Sequence, residues 1–87
     1  MKRKPGFVLE TVGDDVYAVA VTKEAAGIGS MIRLNPTAAT LFALLETDTD
    51  EEALIAALVA KYDVTAEVAA RDVAAFLGGL REAKLLD

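Results

Sequence analysis

The chain contains no cysteine and no histidine. Without cysteine there is neither a disulfide framework nor a thiolate metal site. Without histidine the commonest general base and metal ligand is missing. Serine occurs once, as Ser30 in a glycine-flanked loop with no base near it in sequence, so it reads as a turn residue and not as a nucleophile. No apolar run approaches the ~20 residues that a membrane span needs. Positive charge is also scarce: nine Lys and Arg stand against fourteen Asp and Glu, a net charge of −5. Duplex binding is driven by cations that neutralise phosphates, so nucleic acid is a poor candidate for the main partner.

What is present is an apolar fraction of 54%, much of it alanine, in 87 residues. That length supports one domain with one modest core. The start, Met1-Lys2-Arg3-Lys4-Pro5, is basic but is not followed by the apolar run and cleavage site of a signal peptide. A cytoplasmic protein is expected, with residues 1–5 flexible and 1–87 forming a single domain.

The pattern changes type once along the chain. Phe7 to Val12 is rich in β-formers, Gly13-Asp14-Asp15 is turn chemistry, and Val16 to Val21 reads as a second strand paired with the first in a hairpin. The near-continuous apolar character of that second run predicts the central strand of a small sheet, with both faces at least partly covered. Lys23 to Ser30, with Gly27 and Gly29, reads as a loop leading to a short edge strand at Met31–Leu34.

Asn35-Pro36 then starts the helical half. Asn35 is a good N-cap, and Pro36 suits the first helical position, where its missing N–H costs nothing. A first helix is expected from Pro36 to about Glu46, with Ala38, Leu41, Phe42 and Leu45 as its stripe. Thr49 with Glu52 is a capping-box pattern opening a second helix to Lys61. Thr65 opens a third, from Ala66 to about Ala83, with Ala69, Val73, Phe76, Leu77 and Leu80 facing the core. Leu85 and Leu86 are expected to fold back on that core. The fold class is α+β: a three-stranded antiparallel sheet followed by three helices.

Few residues carry chemistry. The carboxylates at Glu46, Asp48, Asp50, Glu51 and Glu52 lack the alternation and central glycine of a calcium loop, and they suit a helix N-terminus electrostatically. Gly27-Ile28-Gly29 is too short and wrongly placed to cradle a phosphate. No cofactor is expected and the chain does not read as an enzyme. The second and third helices have the spacing of a helix-turn-helix. However, a reading helix offers Arg, Lys, Asn or Gln to base edges, and this one is mostly alanine, with Arg71, Arg81 and Lys84 against Glu67, Asp72 and Glu82.

Two features call for a partner. An edge strand with Met31 and Arg33 exposed beside unpaired backbone groups is a template for strand addition. Gly78 and Gly79 in a helix interior each cost about 1 kcal/mol relative to alanine, and Ala75 with Gly79 would let another backbone, a guest's or a neighbouring helix's, lie close.

With these motifs the chain resembles the PqqD-like family, the proteins related to pyrroloquinoline quinone biosynthesis protein D. The likeness runs through Gly6-Phe7-Val8-Leu9, Met31-Ile32-Arg33-Leu34-Asn35-Pro36-Thr37-Ala38 and Leu41-Phe42-Ala43-Leu44-Leu45. It continues through Ala60 to Val64, Ala69 to Leu77 and Leu80 to Leu86. The Leu-Asn-Pro-Thr step and the Asp-Val-x-x-Phe-Leu-x-x-Leu helix carry it together, while Gly78-Gly79 stands where the family more often has a charged pair. The resemblance implies a winged helix-turn-helix-like recognition element that binds the leader segment of a ribosomally made precursor peptide. It implies delivery of that precursor to a modifying enzyme such as a radical SAM protein. Carried onto this chain, the peptide would lie between Met31, Ile32, Arg33 and Leu34 on one side and Arg71, Asp72, Ala75, Phe76 and Gly79 on the other, with Arg33 or Arg71 pairing acidic leader residues. The competing expectations are a winged-helix DNA-binding regulator and a domain that pairs or swaps its edge strand with its own copy; oligomeric state is open between monomer and homodimer.

Overall fold

A computed structural model describes residues 1–87. The strands β1 (Phe7–Val12) and β2 (Asp15–Ala20) are joined by Gly13 and Asp14. Gly13 has φ +63 and Asp14 does not share that region, the pattern of a type II′ turn, whose twist suits a two-residue hairpin. β3 (Met31–Leu34) pairs antiparallel with the other side of β2, so the order is β1-β2-β3 with β2 central, as its apolar run predicts.

Between β2 and β3 the chain is not a simple loop. It forms a short helix, α1 (Lys23–Ile28), capped by Thr22, whose Oγ1 accepts from the Ala25 N–H at 3.1 Å. Gly27 and Gly29 favour a loop in the local pattern, but the cap at Thr22 starts a helix there. Gly6 lies against it with φ +97, and a Cβ there would collide with Thr22 Oγ1.

The helices α2 (Pro36–Leu44), α3 (Glu51–Lys61) and α4 (Ala66–Glu82) follow. Asn35 Oδ1 accepts from the Ala38 N–H at 2.7 Å, so the expected cap and the expected proline at the first helical position are both in place. Thr65 caps α4 in the same way, accepting from Val68 N–H. The cap of α3 is Asp50, not Thr49: Asp50 Oδ1 accepts from Ala53 N–H, while the Thr49 N–H donates to Met1 O. The acidic cluster is therefore divided among local tasks, with Asp50 capping α3, Glu51 and Glu52 in its positive first turn, and Asp48 bound to the Met1 ammonium at 2.7 Å.

One core holds these elements together. Phe7, Ala18 and Leu34 from the sheet meet Leu41, Phe42 and Leu45 from α2 and its C-cap, Leu54 and Leu58 from α3, and Ala69, Val73, Leu77 and Leu80 from α4. Phe7 meets Phe42 edge to face, with ring centroids 5.9 Å apart. The other face of the sheet carries no helical layer. Its row Val8, Val19, Met31 runs across all three strands with Val8 and Met31 exposed, so β2 is covered on that side only by its neighbours' side chains.

The first five residues, expected to be loose, are tied into the fold. Arg3 is only 6% exposed. Its Nε donates to Phe42 O at 3.0 Å and its backbone N–H to Leu45 O at 2.9 Å, satisfying carbonyls left without intrahelical partners at the end of α2. A cation is also favoured at a helix C-terminus, and the guanidinium stacks 4.5 Å over the Phe42 ring. Burial holds the Arg3 pKa below its ordinary value, a fall opposed by the charge of Glu46. Lys4 N–H bonds to Leu85 O, and Asp87 N–H to Lys2 O, closing a small bridge between the termini.

That C-terminal tail begins with a Schellman motif. Leu85 N–H bonds back to Leu80 O and Lys84 N–H to Arg81 O, with Lys84 at φ 60 and the side chains of Leu80 and Leu85 both buried. Leu85 thus folds back on the core as expected, and Leu86 packs partly against it. No helix of the chain is long and apolar enough to cross a membrane.

Candidate functional site

Hydrogen bonding in the sheet decides which backbone groups of β3 are free. Ala20 N–H bonds to Ser30 O, and Val21 N–H to Gly6 O. In an antiparallel ladder, bonded pairs recur at every second residue. Ala18 and Val16 therefore bond to Ile32 and Leu34, while Val19 and Tyr17 turn their bonds toward β1. It follows that Ile32 and Leu34 spend their N–H and C=O groups on β2. Those of Met31 and Arg33 point away from the sheet, with no hydrogen-bond partner in the chain. An edge of this kind accepts a further strand.

The side chains alternate the other way round. Leu34 is buried and Ile32 half-buried on the helix side, while Met31 and Arg33 project to the outer face. Arg33 is fixed there by Asp15, its diagonal neighbour on β2, through an ion pair of 2.9 Å that is open to solvent.

Beside the free edge runs a groove walled by α4. Asp72, Ala75, Phe76, Gly79, Leu80 and Ala83 recur at helical spacing along one face of that helix. They line two adjoining hollows together with the end of β3 and the start of α2. One hollow, of about 300 Å³, lies over Ile32, Arg33 and Leu34 and is floored by Leu80 and Leu85. The other, of about 350 Å³, lies at the Asn35 end and is bounded by Thr37, Leu41 and Asp72. Asn35, Ala38, Ala75 and Phe76 border both, so the two form one continuous trough.

Ile32, Arg33, Leu34, Asp72, Ala75, Phe76 and Gly79, picked out from the sequence, are brought together here. Met31 is at the same edge but faces the outer side of the sheet. Arg71 is exposed and lines neither hollow. Asn35, Thr37, Ala38, Leu80, Ala83 and Leu85 were missed as groove residues. Most were assigned to caps or core, yet a capped helix start and a core helix leave one flank open where sheet and helix diverge.

The two glycines of α4 have no packing reason inside the chain. A Cβ at Gly78 or Gly79 would meet nothing within 4 Å, so neither admits a neighbouring helix. Gly79 lies on the groove wall and Gly78 does not. On α4 as a whole Arg71 and Arg81 are outnumbered by Glu67, Asp72 and Glu82, so the helix carries a net negative charge, unfavourable to a duplex.

Comparisons with known proteins bear on the family and the fold. A family model described as Coenzyme PQQ synthesis protein D (PqqD) matches residues 8–86. No curated sequence matches. Among solved structures, TbiB1 in complex with the TbiA(beta) leader peptide superposes with a TM-score of 0.74 at 25% identity, covering 100% of this chain and 95% of that one. Lasso peptide synthetase B1 complexed with the leader peptide gives a TM-score of 0.70 at 21% identity, covering 97% of this chain and 93% of that one, a likeness of fold. With a family model matched over residues 8–86, nearly its whole length, the chain belongs to the PqqD family.

Proposed function

We propose that this chain is a recognition module that captures the leader segment of a ribosomally made precursor peptide by adding it as a fourth strand to β3. The outward backbone groups of Met31 and Arg33, set beside an apolar trough, carry this reading. They supply a ladder that any extended peptide can use, and the trough supplies the selection of side chains. The fold likeness to leader-peptide complexes supports it. The module acts by binding and not by chemistry: it holds the precursor in the cytoplasm and presents its core to a modifying enzyme. We take that enzyme to be of a class such as the radical SAM proteins, as the sequence resemblance implies.

The test is a titration with the leader of a precursor encoded beside this gene, using Arg33→Pro and Arg33→Ala side by side. Proline removes the outward N–H without touching the β2 ladder, and edge positions tolerate it. Arg33→Pro should abolish binding while Arg33→Ala, which loses only the Asp15 pair, keeps most of it. Equal binding by both variants would refute strand addition. Sedimentation over a range of concentrations shows whether the same edge is instead closed by a second copy of the chain.

A further inference from the structure

The two halves of the trough differ in charge. Over Ile32 and Leu34 it is apolar, whereas the Asn35 end carries the carboxylate of Asp72. That carboxylate has no cation beside it. The ion pairs of the chain are Arg33 with Asp15 and the Met1 ammonium with Asp48, and no side-chain hydrogen bond reaches Asp72. Arg71, next in sequence, is displaced by about 100° around the helix and stays outside the trough. Arg33 borders the other half but is turned to the outer face and held by Asp15. Asn35 and Thr37 beside Asp72 are neutral, and the side-chain Oδ1 of Asn35 is already occupied by the Ala38 N–H. The trough therefore has one uncompensated charge, and it is negative.

We infer that the Asn35 end of the trough is a subsite for a lysine or arginine of the captured strand, and that Asp72 is the residue that selects it. This rests on the strand-capture reading above, and it reverses the polarity that Arg33 or Arg71 would impose. A carboxylate at a half-open site takes an ammonium or, through two parallel hydrogen bonds, a guanidinium. Such complementarity rejects an acidic residue at the same place more strongly than it rewards the basic one.

The geometry also sets the spacing. Asp72 lies by Asn35, while Gly79 and Ala83 lie by Ile32 to Leu34, so α4 runs antiparallel to β3. From Asp72 to Gly79 is roughly 10 Å along the helix at 1.5 Å per residue, or about three residues of extended chain. Side chains of a strand face the trough at every second position, so the cation stands two or four residues from the large apolar residue that fills the space beside Gly79. In a guest running antiparallel to β3, the pairing with the stronger ladder, the cation comes first.

The experiment selects displayed random short peptides on the full chain and on its Asp72→Asn and Asp72→Lys variants. Peptides selected on the unaltered chain should carry Lys or Arg two or four positions before a large apolar residue, and the Asp72→Lys variant should enrich Asp or Glu at that position. A selected lysine peptide should lose roughly two- to fivefold in affinity for the Asp72→Asn variant, the range of a solvent-exposed charge pair. Its Lys→Glu counterpart should recover on Asp72→Lys. Selected peptides without a charge preference, or a preference that Asp72→Lys leaves unchanged, would overturn the Asp72 subsite while leaving strand capture standing. Failure to enrich any peptide that competes at the β3 edge would refute strand capture itself, and the subsite with it.

Discussion

Replacing Gly78 and Gly79 one at a time separates what the helix favours from what the trough requires. Both sit in the interior of α4, where alanine is favoured over glycine by about 0.8–1.0 kcal/mol. An added Cβ meets no atom within 4 Å at either position, so no clash opposes that gain. Gly78→Ala and Gly79→Ala should each stabilise the chain by about 0.5–1 kcal/mol, which for a domain of this size raises the melting temperature by roughly 2–8 °C. Peptide binding should divide the pair. Gly78 faces away from the trough, and its alanine variant should bind as the unaltered chain does. Gly79 borders the hollow of about 300 Å³, and Gly79→Leu directs a side chain into that space, so affinity should fall at least about tenfold, the equivalent of 1.4 kcal/mol. Circular-dichroism melts and fluorescence-anisotropy titrations on the same preparations read both quantities. Unimpaired binding by Gly79→Leu would show that the trough is misplaced, and a loss of stability in both alanine variants would show a close approach to α4 that the fold does not contain.

Three further outcomes follow from the fold. Arg3→Ala removes the donor to Phe42 O and the cation over its ring, and should cost about 2–3 kcal/mol in urea unfolding; a change under 0.5 kcal/mol would mean the terminus is not docked. Lys84→Gly relieves a side chain held at φ 60 in the Schellman turn and should stabilise by about 0.5–1 kcal/mol, read from the same urea midpoint. The Met1 ammonium, through its hydrogen bond and then its charge, holds the Asp48 carboxyl below its ordinary pKa. That stabilisation is present above the unfolded pKa and is lost as pH falls through the folded one. Asp48→Asn should therefore flatten the acid limb of the stability profile, and an unchanged limb would contradict the pairing.

Much of this was legible in local pattern. Asn35-Pro36, Thr65 and the stripes of α2 and α4 are decided within a helical turn, and each behaves as its sequence implies. Tertiary contacts account for what was hidden. Arg3 sits in a basic tetrapeptide, and only the free carbonyls of Phe42 and Leu45 explain its burial. Thr49 and Asp50 both fit a cap, and the contact of Thr49 with Met1, far away in sequence, decides between them. Helical phase explains why Arg71 lines neither hollow. Adjacent residues diverge by about 100°, and the positions of Phe76 and Gly79 place Asp72, not Arg71, in the trough.

The most direct test of the account is amide hydrogen exchange at Met31 and Arg33 with and without saturating leader peptide. Their N–H groups face outward from β3, so both should exchange without protection in the free chain and slow markedly in the complex, while Ile32 and Leu34 are protected in both. A complex in which Met31 and Arg33 still exchange as fast as in the free chain would contradict the addition of a strand at this edge.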